Sequence, residues 1–174
     1  MKRRLIFRIT LCAISAALFV VLDTLSIKVG NDYKITMSGL PIIIVAIMFG
    51  PIDGMLVGFI GAFLGQLLSY GFTPTTLLWI IPAVVRGALV GLAAKKFQLI
   101  DKKILMVIVI VISSLVVTVL NTGVIVIDSL IYEYFSYTIL TVKFIERIIS
   151  SILTAIVYSI LTPLILLPLS KMKK

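Results

Sequence analysis

The chain has 174 residues, 61% of them hydrophobic and only 13% charged, with a mean hydropathy of +1.25. A soluble domain carries about 25% charged residues, so this chain cannot cover a water-facing surface. Its 16 basic residues outnumber its 7 acidic ones, but they stand at the ends of apolar runs rather than in a basic domain, which argues against a nucleic-acid partner and for the lipid bilayer.

Apolar runs at about 6–27, 37–50, 52–70, 75–94, 103–130 and 141–169 predict six transmembrane helices, since some 20 apolar residues in a helix cross a hydrocarbon core of about 30 Å. A helix satisfies its own backbone hydrogen bonds in lipid, and the alternating pattern of a membrane barrel is absent. The expected fold is an all-α integral membrane protein: one compact six-helix bundle over residues 1–174, multi-pass in a bacterial plasma membrane, with both termini cytoplasmic.

The first run follows a basic start, Lys2-Arg-Arg4. That is also the form of a signal peptide, but everything downstream is membrane-embedded too, so the run is read as a span that stays. It carries the small residues Ala13, Ala16 and Ala17. Ala13 and Ala17 share a helix face and permit close approach of another helix, either within the bundle or from a docking partner.

The second run is short, about 20 Å as a helix, and is either a re-entrant segment or a span buried against its neighbours. Orientation decides for a span. With six crossings, Lys2, Arg3, Arg4 and Arg8, then Lys95, Lys96, Lys102 and Lys103, then Lys171, Lys173 and Lys174 all fall on one side, as the positive-inside rule requires. A tight turn at Phe49-Gly-Pro-Ile-Asp-Gly54 leads into the third run, with Pro51 in the first helical turn. Gly54, Gly58, Gly61 and Gly65, with Gly87 and Gly91 in the fourth run, form stripes that predict tight helix crossings.

Charge inside a span costs about 2.5–3.5 kcal/mol on insertion scales, and is the sharper functional signal. Arg86 lies roughly 16 Å into the fourth run. Asn121 comes to similar depth in the fifth. Gln66, Trp79 and Asp128 are nearer the outer surface, and Lys143, Glu146 and Arg147 open the last run. The outer loops at 28–36, 71–74 and 131–140 are rich in aromatics, Tyr33 and Phe72 among them, which serve as interface anchors or as a rim for a ring-bearing ligand. Polar groups thus gather in the outer half while the inner half is aliphatic, the pattern of a cup open outward and sealed below. The alternative is a set of intramembrane salt bridges, Arg86 with Asp128 or Lys143 with Glu146. Cations outnumber acids among these groups, which favours an anionic ligand and, for a guanidinium, a carboxylate.

Catalysis finds little support. The chain has no His, one Cys (Cys12) and no phosphate-binding Gly-x-x-x-x-Gly-Lys-Ser/Thr loop. No enzyme activity, metal or cofactor is expected, and uphill transport would need energy from elsewhere.

Size, six spans and basic ends resemble the substrate-specific S components of energy-coupling factor (ECF) vitamin transporters. Ala13-x-x-x-Ala17 is similar to that family's small-residue docking motif. The stretch from Tyr33 to Ile43, the turn from Met48 to Gly54, Gly71-Phe-Thr-Pro-Thr-Thr76, Arg86-Gly87, Asn121-Thr122 and Arg147-Ile148 resemble the folate-type branch. The resemblance covers nearly the whole chain. It implies a subunit that binds folate from outside, docks through Ala13, Ala16 and Ala17 on a transmembrane scaffold protein carrying two ATPase subunits, and releases the vitamin inside. The ligand would meet Arg86, Asn121, Trp79, Gln66, Lys143, Arg147, Tyr33 and Phe72. Pantothenate, a carboxylate vitamin with no ring to stack, is the rival ligand. A membrane protein of purely structural role is the reading from another class, and a self-sufficient secondary carrier a third, although no internal repeat supports it.

Overall fold

The computed structural model describes residues 2–29 and 33–172. They form six helices: α1 (Lys2–Thr24), α2 (Gly39–Phe49), α3 (Pro51–Tyr70), α4 (Thr76–Phe97), α5 (Lys103–Ile131) and α6 (Tyr137–Met172). Each coincides with an expected span to within a few residues. The loop after the first span adds a feature that the all-α expectation lacked, an antiparallel hairpin of β1 (Ile27–Val29) and β2 (Tyr33–Ile35).

Every helix except α2 is long and apolar enough to cross a membrane. Their outward faces are aliphatic: Leu68 (75% exposed), Val119 (64%) and Leu164 (64%) are typical. Apolar surface this extensive is stable only against lipid, so the chain is a multi-pass membrane protein.

Contacts at the helix ends fix alternating directions. Arg8 near the start of α1 binds Asp53 near the start of α3, and Gly91 in the last part of α4 abuts Pro51. At the opposite end, Asp23 late in α1 meets Thr36 and Ser38 just before α2, and Trp79 early in α4 meets Asp128 late in α5. Lys95, Lys96, Lys102 and Lys103 therefore lie at the same end as Arg8, which the positive-inside rule makes cytoplasmic. Cysteines placed at Lys96 and Ser136 in a Cys12→Ala background test this orientation. An impermeant maleimide should label position 136 in intact cells, and position 96 only after permeabilisation. The reverse pattern would overturn the assignment.

The short α2 is the hub. Its residues Gly39 to Met48 are all buried, as the expectation of a span packed against its neighbours required. One of its sides joins Ala16, Phe19 and Val57 in one core cluster. The other joins Val90, Met106, Ile110 and Leu166 in a second, which plugs the cytoplasmic half with aliphatic side chains.

The glycine stripes act where backbones touch. A Cβ on Gly87 would overlap the backbone of Gly54, so α3 and α4 cross with no side chain between them. The turn before α3 depends on Gly50, whose φ of +104° is open to glycine and strained for other residues. Asp53 is in the first turn of α3, where the helix dipole favours an anion. Arg8 grips it with two bonds, Nε to Oδ1 at 2.8 Å and Nη2 to Oδ2 at 2.7 Å. Sequence reasoning treated Arg8 only as a topogenic charge and Asp53 only as part of a turn. The structure makes them a bidentate pair that neutralises a carboxylate whose side chain is only 7% exposed.

Candidate functional site

The outer half of the bundle encloses a cavity of about 660 Å³, within the range of small-molecule sites. It lies between the late parts of α1, α3 and α5 and the early parts of α4 and α6. Exposed Tyr70 and Tyr132 stand on its rim. The cup inferred from the polar pattern is therefore present, sealed below by the aliphatic cluster around α2.

Five of the expected site residues converge here: Gln66, Trp79, Arg86, Asn121 and Arg147 all line the cavity. Phe72 does not line it; it sits on the link between α3 and α4, 74% exposed. On that link it is Thr73 and the buried Thr75 that face the cavity. The side chains of Tyr33 and Lys143 lie outside those described. Of the residues expected to dock a partner, Ala13 and Ala17 are exposed on α1. Ala16 is 4% exposed and packs inward against α2 and α3, because a step of one residue before Ala17 turns it about 100° around the helix.

Arg86 stands at the bottom of the cavity. Its guanidinium lies 5.5 Å from the centre of the Tyr158 ring and fills the space where a Cβ on Gly39 would sit. Tyr158 is itself fixed: its hydroxyl donates to the Thr36 carbonyl at 2.9 Å and accepts from the Gly39 N–H at 3.1 Å. Among the described residues no carboxylate lies within salt-bridge distance of Arg86, and its buried Nε has no hydrogen-bond partner. The alternative of a permanent bridge to Asp128 is not what forms.

Asp128 instead organises the upper wall. It accepts from the Trp79 indole N–H at 3.2 Å and from the Tyr134 hydroxyl at 2.6 Å. Partial burial and this carboxylate push the Tyr134 hydroxyl up to about 12, so it stays a donor at neutral pH. The Arg147 guanidinium lies 5.9 Å from the centre of the Trp79 ring, within cation–π range. Trp79 is thus held at its edge by Asp128 and on its face by Arg147.

The charge count differs from expectation. Among the described lining residues, Asp23, Asp128 and Glu146 outnumber Arg86 and Arg147. Sequence reasoning counted Lys143 and left out Asp23, which the fold brings in from the end of α1. The acids are engaged, however: Asp23 accepts from the Thr36 and Ser38 hydroxyls, and Glu146 also has an interaction within the protein. Arg86 has no anionic partner among the described residues.

Tyr158, Ser114 and Ser151 also line the cavity and were not singled out from the sequence. A signal existed. On α6, Arg147, Ser151, Thr154 and Tyr158 follow one another at steps of four, three and four, and on α5 Ser114, Thr118 and Asn121 step by four and three. Both are polar stripes at helical spacing facing the same interior.

A protein-family model described as "ECF-type riboflavin transporter, S component" matches residues 5–167. Two UPF0397 proteins from strains of Streptococcus thermophilus are 28% identical over 99 residues, covering 56% of this chain and 54% of theirs. The chain thus spans about half the length of these curated relatives. Among solved structures, ThiT from Listeria monocytogenes is similar over 99% of both chains with a TM-score of 0.76 and 19% identity. That likeness establishes the same fold. With the family match running over nearly every helix, this six-helix membrane protein belongs to the family of ECF-type riboflavin transporter S components.

Proposed function

We propose that the chain is the folate-binding S component of an ECF importer, taking the vitamin from outside into this cavity and handing it to an ATP-driven scaffold for release inside. The observation that carries the reading is Arg86: a guanidinium deep in a cavity of small-molecule size, with no carboxylate partner among the described residues. A ligand carboxylate or carbonyl would supply what the protein does not. Trp79 offers a ring for stacking on the face away from Arg147, Asn121 can both donate and accept, and Arg147 is available nearer the mouth for a second anionic group.

Riboflavin is the second reading, favoured by the description of the family model. It has a flat ring system with carbonyls for Arg86 and a hydroxylated chain for the polar walls. Pantothenate would use Arg86 and Asn121 and leave Trp79 idle.

Calorimetry on detergent-purified protein with folate, riboflavin, pantothenate and thiamine decides among them. We expect folate to bind at micromolar concentration or better. Trp79→Ala should weaken a ring-bearing ligand about fivefold to tenfold, the scale of an aromatic contact, while Trp79→Phe recovers most of it. Pantothenate binding should barely respond to either variant. If the wild type binds riboflavin and not folate, the second reading replaces the first. If it binds none of the four, the vitamin assignment fails while the family membership stands.

A further inference from the structure

Ser and Thr hydroxyls inside a helix normally donate to a carbonyl about one turn back. In α5 and α6 the rule is widely kept. Ser113 bonds Ile110, Thr118 bonds Ser114, Thr122 bonds Thr118, Thr154 bonds Ser150 and Ser159 bonds Ala155. Ser114 and Ser151 depart from it. Their hydroxyls are buried, with the residues 2% and 6% exposed, and neither has a hydrogen-bond partner. Both line the same cavity as Arg86, whose Nε is the third orphaned polar atom there. A further orphan, Thr162, does not line the cavity.

Leaving a buried donor without a partner is costly, and here the unmet donors gather on one cavity from three helices, α4, α5 and α6. We propose that Ser114, Ser151 and the Arg86 Nε, whose polar atoms are closed over in the ligand-free protein, turn to the cavity on binding and form a floor subsite for the leading end of the ligand, and that this end is a planar hydrogen-bond acceptor, a carboxylate or a ring carbonyl. This rests on reading the cavity as the vitamin site. A carboxylate, with about four lone-pair positions, can accept from all three N–H and O–H donors. A ring edge with a carbonyl beside an N–H also fits, because the hydroxyls can accept as well as donate. The ligand enters with this end first, and the two serines select for it, since a purely apolar or cationic leading end would leave all three donors unmet.

The test uses Ser114→Ala, Ser151→Ala and the double variant of the full chain, with two readouts. Calorimetry with folate, pantothenate, riboflavin and thiamine should show each single variant binding the wild-type ligand about fivefold more weakly, the scale of one hydrogen bond, and the double variant at least tenfold. Thermal unfolding without ligand should show melting temperatures unchanged or raised, because alanine removes an orphaned hydroxyl. Affinities within twofold of wild type would overturn the subsite while leaving the vitamin reading intact. So would a drop in ligand-free melting temperature, the mark of a structural role. Binding of thiamine alone, which has neither carboxylate nor carbonyl, would also overturn it. Binding of none of the four probes by the wild type would sink the vitamin reading and the subsite together.

Discussion

Arg86→Ala weakens vitamin binding by at least about 2 kcal/mol, roughly thirtyfold in Kd, when measured by calorimetry. The estimate follows from where the guanidinium sits. It is held by the Tyr158 ring and by the open space at Gly39, both of which orient it without neutralising it. Inserting an arginine at this depth is unfavourable, and a ligand acceptor offsets that cost only in the bound state. Arg86→Lys should recover little, because an ammonium is a single point donor and cannot present the Nε edge. The ligand-free melting temperature should stay near that of wild type, since no salt bridge is lost. A variant that binds its vitamin as tightly as wild type would end the case for an acceptor-binding floor.

Ala13→Trp and Ala17→Trp should abolish uptake and leave ligand binding unchanged. The two alanines form a shallow notch on the outward face of α1, between the exposed aliphatic side chains of Ile9, Ile14, Leu18 and Val21. They do not line the cavity that holds Arg86. An indole there fills the notch and keeps a partner helix from close approach. Ala16→Trp is the instructive contrast. It would force a large ring into the packed cluster of Phe19, Ile42 and Val57 and lower stability, reducing uptake and binding together. Normal transport by the Ala13 and Ala17 variants at wild-type expression would remove this face from the docking surface.

The helices were legible because hydrocarbon leaves the backbone few choices, so runs of apolar residues mark the spans to within a few residues. The bracketing of the short second span by positive charge even recovered its crossing. Legibility fell with distance along the chain. The Arg8–Asp53 pair joins residues 45 apart and Tyr158 reaches back 119 residues to Gly39, and nothing local announces either. Arg86, Asn121 and Trp79 stood out because charge and aromatic nitrogen are conspicuous in apolar runs. Ser114 and Ser151 did not, since a serine in a membrane helix usually satisfies itself, and only the fold reveals which ones fail to. The hairpin before α2 was missed because three-residue strands are too short to impose a periodicity.

The burial of α2 bears on how the protein is made. Eleven residues reach only about 16 Å, too little to hold a chain across the bilayer alone, and this helix turns none of its residues from Gly39 to Met48 toward lipid. Its partners include α4 and α6, which emerge from the ribosome later. During synthesis α2 must therefore wait, partnered provisionally by α1 and α3, until the C-terminal helices close around it. A chain arrested after α3 should leave α2 accessible to protease or to an engineered glycosylation tag, whereas one completed through α6 should protect it. The centre of the finished bundle is thus among the last parts of the molecule to find its place.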